Sequence, residues 1–119
     1  MEVDANFMPE IRERLASFVH ERDWSQFHTP KNLVMALSGE VGELSEHFQW
    51  LSNEDSDALD LNAANQVRRE VADVQIYLLL LADRLGIDLA SAVTEKIDEN
   101  ELKYPVERSR GRSKKYTDI

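Results

Sequence analysis

The sequence predicts an all-α protein: a four-helix bundle-like domain that ends in a basic tail. Three observations point there. Apolar residues recur at three- and four-residue steps over long stretches, as in Leu33, Ala36, Leu37, Leu44, Phe48 and Leu51, with His47 on the same stripe, which is helical periodicity. Four glycines and three prolines in 119 residues are few, and suit long helices with short links better than a β-sandwich. No strand pattern of useful length interrupts the helical stretches.

The first helix is expected from about Pro9 to Arg22, with Ile11, Leu15, Phe18 and Val19 as its buried stripe. The segment "RDWSQFHTP" breaks the pattern. Thr29 followed by Pro30 is an N-cap with proline at the first helical position, so a second helix starts there and runs to about Leu51. The stretch "SNEDSDALDLN" reads as a solvated loop; its acids lack the glycine and the terminal glutamate of a calcium loop. A third helix is expected from about Ala63 to Leu85, with Gly86 as its terminator. Its segment "VQIYLLLLA" is apolar nearly all round, more than one small domain can bury, and so predicts an oligomer, a homodimer or homotetramer. Asp88 caps a fourth helix that reaches Lys103 or Tyr104 and is ended by Pro105. Residues 1–119 thus read as a single domain whose tail covers about 105–119.

Composition narrows the chemistry. The chain is 42% hydrophobic and 31% charged, which suits a folded domain. It has no cysteine, which removes disulfides, thiolate zinc sites and cysteine nucleophiles. There is no run of 18 apolar residues, and acids stand near the N-terminus where a signal peptide would be basic; the expectation is a cytoplasmic protein without a membrane partner. A net charge of −9 argues against a nucleic acid polymer as partner. The charge is uneven. From Pro105 onward, Arg108, Arg110, Arg112, Lys114 and Lys115 outnumber Glu107 and Asp118, so a cationic tail follows an acidic body and is suited to meet an anion.

Two acidic pairs break the apolar patterning. Glu40 and Glu43 fall on the apolar stripe of the second helix, where an ionised carboxylate is expensive unless something compensates it. Glu70 and Asp73 share a face of the third helix with Val74, Tyr77 and Leu81. The midpoint between Glu43 and Glu70 is 56.5, and so is that between Glu40 and Asp73; it lies in the polar loop. In an antiparallel hairpin, residues equidistant from the turn sit at similar heights, so Glu43 faces Glu70 and Glu40 faces Asp73. Within each pair the rise is about 4.5 Å. Converging carboxylates repel and their pKa values rise. No basic side chain on either stripe relieves them, whereas a hard divalent cation would. A single Glu-x-x-Glu is commonly a solvated helix face; two pairs symmetric about a loop are not.

The stretch "GEVGEL…REVADVQIYL" resembles the ExxE…ExxD signature of the all-α nucleoside triphosphate pyrophosphatases. "RDWSQFHTPKNLVMALSGEVGELSEHFQW", "DLASAVTEKIDENELKYPVE" and "RGRSKKYTD" resemble the MazG-like group, in its dCTP pyrophosphatase branch. One departure is Arg69, where the family often has an acid directly before the Glu70 position. The resemblance implies hydrolysis of a (deoxy)nucleoside triphosphate, dCTP or a related one, to monophosphate and pyrophosphate, in house-cleaning of the nucleotide pool. It implies Mg²⁺, with Mn²⁺ as the alternative, on Glu40, Glu43, Glu70 and Asp73 as catalytic ligands. It also implies that Lys96, Asn100 and Tyr104 line the phosphate and sugar site, and that Lys114, Lys115 and Tyr116 close over the phosphates.

For the base, "DWSQFH" offers aromatic surface and a hydrogen-bonding imidazole, and the resemblance favours Trp24 and His28 over Phe27. Trp50 is expected to pack, His20 to lie on the surface, and His47 to occupy a core or edge position one turn from Glu43. Two other readings compete. A di-iron carboxylate bundle needs Glu-x-x-His pairs, and neither acidic pair is followed by histidine at that spacing. A non-catalytic helical module, binding nucleotide or a partner protein, is the alternative compatible with all four acids.

Overall fold

The computed structural model describes residues 7–119 and is helical throughout apart from turns and links. In chain order the α-helices are α1 (Phe7–Glu21), α2 (Pro30–Glu46), α3 (Asn53–Ser56), α4 (Leu61–Leu85), α5 (Leu89–Lys103) and α6 (Val106–Ser109). Short 3₁₀ turns span Ser25–Phe27 and Tyr116–Asp118.

Capping chemistry sets the starts. Thr29 accepts a hydrogen bond from the Asn32 amide at 3.2 Å, with Pro30 as first helical residue of α2. Asp60 accepts from Ala63 at 2.8 Å, so α4 begins two residues before the apolar pattern does. Asp88 accepts from Ser91 at 3.2 Å and starts α5. Gly86 ends α4 at φ 67°, a left-handed conformation that costs glycine nothing.

The end of α2 differs from the sequence expectation. The helix stops at Glu46, and residues 47–50 form successive turns, with Phe48 donating to the Ser45 carbonyl at 3.0 Å and Leu51 to that of Phe48 at 2.9 Å. These turns, closed at three residues and once at four by the Gln49 amide on the Ser45 carbonyl, keep the apolar spacing of a helix, so the spacing alone overran the end. The polar link also holds more order than expected, because Ser52 caps the single turn of α3 through the Asp55 amide.

The chain forms two compact units, one ending at Gly86 and the other Ile87–Ile119. In the first, α2 packs chiefly on α4 and α1 also packs on α4. Its buried apolar residues come from three helices: Val19 from α1, Leu33 from α2, and Leu79 and Ala82 from α4. Arg12 ties α1 to α4 through its Nε, which donates to Asp83 Oδ1 at 2.8 Å. The second unit is held by polar and aromatic contacts. Glu99 pairs with Lys96 at 3.3 Å and Lys103 at 2.9 Å, and Tyr116 meets Tyr104 edge to face at 6.0 Å, with the Lys103 ammonium 5.0 Å from the Tyr116 ring centre. The tail therefore folds back on the end of α5.

Candidate active site

The packing of α2 on α4 brings the acids together. Glu40, Glu43 and Glu70 each present a carboxylate oxygen, and these oxygens all lie within 4.8 Å of one another. Asp73 is outside that triad, yet its charge raises the pKa of both Glu40 and Glu70. Acids of both helices thus meet, with Glu40 joined to Glu43 and Glu70 in one triad and Asp73 beside it. Burial is the leading cause of the upward shift of Glu40, followed by the charges of Glu43 and Asp73. Glu70 is also shifted up, first by burial and then by Glu43. Glu40 Oε2 and Glu70 Oε2 are buried without a hydrogen-bond partner.

Orphaned, mutually repelling oxygens of this kind are relieved by protonation or by a counter-charge. Among the described residues no lysine or arginine is paired with them; the basic group within ion-pair distance is His47, whose Nε2 is 3.9 Å from Glu70 Oε1. The donor set is entirely carboxylate oxygen, which suits a hard divalent cation.

Beside the acids is a cavity of about 500 Å³. Glu40 and Asp73 form its acidic part, and Trp24 and His28 line it as well. The remaining wall comes from α1 (Ile11, Arg14, Leu15, Phe18, Val19) and α4 (Ile76, Tyr77, Leu80). Trp24 reaches this position through the way α1 ends. The Trp24 amide donates to the Val19 carbonyl and the Asp23 amide to that of His20, each at 3.0 Å, while Asp23 sits at φ 53°. This is a Schellman motif with aspartate in the left-handed place usually held by glycine. Its usual apolar contact is present too: Trp24 meets Phe18 edge to face at 5.6 Å. His28 follows at 6.4 Å between ring centres.

Trp24 and His28 therefore line the same cavity as Glu40 and Asp73. Phe27 is exposed and absent from the cavity wall. Trp50, expected to pack, is 88% exposed, because the chain leaves the helical path before reaching it. Lys96, Asn100, Tyr104, Lys114, Lys115 and Tyr116 all belong to the second unit. There, Tyr104 and Tyr116 are in contact, and Lys96 is held by Glu99. Arg14 and Tyr77 line the cavity but were not singled out from sequence. Tyr77 lies one turn beyond Asp73 on the same face, a signal that was available. Arg14 is one of four charged residues clustered at 10–14, and nothing local distinguishes it.

The MazG-like family matches residues 35–119, a span that holds all four acids. This chain belongs to the MazG-like family. Among its relatives, dCTP pyrophosphatase 1 of Rattus norvegicus is 47% identical over 114 residues, covering 94% of this chain and 67% of the rat protein. The Homo sapiens protein of the same name is 43% identical over 114 residues, with coverage of 94% and 67%. A crystal structure of a pyrophosphatase from Archaeoglobus fulgidus superposes with a TM-score of 0.80 at 40% identity, covering 88% of this chain and 98% of the archaeal one. The MazG-like assignment joins the all-helical fold to the acids at the contact of α2 and α4. No helix among the described residues is long and apolar enough to cross a membrane.

Proposed function

We propose that this nucleoside triphosphate pyrophosphatase hydrolyses a deoxynucleoside triphosphate, dCTP or a close relative, to the monophosphate and pyrophosphate with Mg²⁺. The observation that supports this most is one cavity lined by Trp24 and His28 together with Glu40 and Asp73. An aromatic surface for a base and carboxylates for a metal–phosphate group within one volume suit a nucleotide more than either half alone. The substrate named for the relatives, dCTP, gives the base preference.

In this reading Glu40, Glu43 and Glu70 hold the cation through their clustered oxygens, and Asp73 completes the acidic wall. When bound, the cation supplies Lewis acidity toward phosphoryl oxygen and water. Trp24 stacks on the base, and His28 hydrogen-bonds its edge. Lys96, Asn100 and Tyr104 on α5 serve the phosphates and sugar, with Lys96 exchanging Glu99 for a phosphate oxygen. Lys114, Lys115 and Tyr116 close the tail over the triphosphate, whose charge the acidic body would otherwise repel. The whole chain works as one catalytic domain.

The reading includes a homodimer or homotetramer. Val71, Leu78 and Leu85 repeat at seven-residue steps along α4 and are all exposed, a stripe suited to a second copy. It also includes a cytoplasmic location and a house-cleaning role in the nucleotide pool.

Phosphorus NMR of the products of dCTP with Mg²⁺ tests the reaction. Monophosphate and pyrophosphate are expected. Diphosphate with orthophosphate would mean that a different bond breaks, and intact dCTP would leave a module that binds without cleaving.

A further inference from the structure

The two oxygens of Glu70 face different surroundings. Oε2 is buried without a hydrogen-bond partner, whereas Oε1 is the oxygen within ion-pair distance of His47 Nε2, at 3.9 Å. Both side chains are largely buried, at 23% exposure for His47 and 20% for Glu70. His47 is anchored at the C-terminal cap of α2, where its amide donates to the Leu44 and Ser45 carbonyls. It lies four residues beyond Glu43, on the same helix face. α2 and its C-cap residue thus supply both a cluster acid and an imidazole within 3.9 Å of the acid of the facing helix.

We propose that His47 is a positioning residue for Glu70: its Nε2–H holds Oε1 and leaves Oε2 turned toward the cation. This rests on the metal-centre reading above. The terminal torsion of a glutamate is broad and roughly two-fold, so an unrestrained Glu70 has no fixed oxygen to offer. A donor within reach of one oxygen narrows that freedom, and outer hydrogen bonds of this kind govern ligand orientation and metal affinity. The 3.9 Å separation is about 1 Å longer than a direct N–H···O bond, a difference within the sweep of that same soft torsion. A lysine here would also donate, but as a mobile point charge; the short, planar imidazole on a backbone held at the cap offers a more directed donor.

The test uses the full chain stripped of metal, with Mn²⁺ alone as probe and free Mn²⁺ read by electron paramagnetic resonance. Four proteins are compared: the native chain, Glu70→Gln, His47→Leu and His47→Gln. The glutamine amide puts an N–H close to the position of Nε2, so it separates a donor role from bulk. Expected are Mn²⁺ binding by the native chain, its loss in Glu70→Gln, a dissociation constant raised about tenfold in His47→Leu, and recovery to within about threefold in His47→Gln. Helical circular dichroism and melting should be alike in all four. Native affinity in His47→Leu alongside loss in Glu70→Gln overturns the role of His47 and leaves the metal centre standing. Equal weakening in both His47 variants overturns the donor role. No Mn²⁺ bound by the native chain overturns the metal-centre reading and this inference with it.

Discussion

Replacing Trp24 by alanine should raise KM for dCTP about tenfold while leaving kcat within about threefold. The magnitude follows from exposure. Trp24 is 42% exposed, and on a side chain of roughly 250 Å² that leaves about 105 Å² for a ligand to cover. A base covering half of that area gains about 1.3 kcal/mol at about 25 cal/mol per Å². That falls within the range of about 1–3 kcal/mol seen when stacking aromatics are truncated. Stacking is present in the bound substrate and in the transition state alike, so it appears in KM and not in kcat. The variant also loses the edge contact with Phe18, worth about 0.5–1.5 kcal/mol of stability, so it should melt a few degrees lower. Steady-state pyrophosphate release against dCTP concentration, paired with a melting curve, measures both. An unchanged KM with a lower melting temperature would place Trp24 in packing alone and refute the stacking role.

Three further outcomes are expected. Glu43→Gln should abolish turnover with helical circular dichroism intact, since it removes a clustered charge but little volume; retained pyrophosphate release would contradict its ligand role. For pH, Glu40 and Glu70 both titrate above their ordinary 4.5 in the fold, so the folded state holds protons that the unfolded chain has released. Stability of the metal-free protein should therefore fall as pH rises from 4.5 through the folded-state values, and saturating Mg²⁺ should cancel that fall. Melting curves across pH with EDTA or Mg²⁺ check this, and parallel curves would contradict it. Sedimentation at micromolar concentration should show a dimer or tetramer, whereas a monomer would leave the α4 stripe without its occupant.

Features fixed by neighbouring residues were legible in the sequence. Thr29–Pro30, Asp88 and Gly86 mark helix ends through bonds to residues a turn away, and each does so in the structure. The meeting of acids from two helices was legible for a similar reason, since a hairpin ties height to distance from its loop, and Glu40, Glu43 and Glu70 do converge, with Asp73 outside that triad. The end of α2 was not legible, because turns at residues 47–50 preserve the apolar spacing that had marked the helix. The place of Trp24 was only half legible. Its aromatic character was plain, but the motif that aims it relies on Asp23 at positive φ, where the usual glycine signal is missing. Arg14 and Tyr77 enter the cavity through the packing of α1 on α4, which no local pattern encodes.

The central claim is that carboxylates from two adjacent helices share a divalent cation that a nucleotide's phosphates complete. Anomalous diffraction from crystals grown with Mn²⁺ and a non-hydrolysable dCTP analogue addresses it directly. The account predicts a manganese peak among Glu40, Glu43 and Glu70, with phosphate oxygens on its open side and the base against Trp24. Bound nucleotide with no metal among those residues would contradict it.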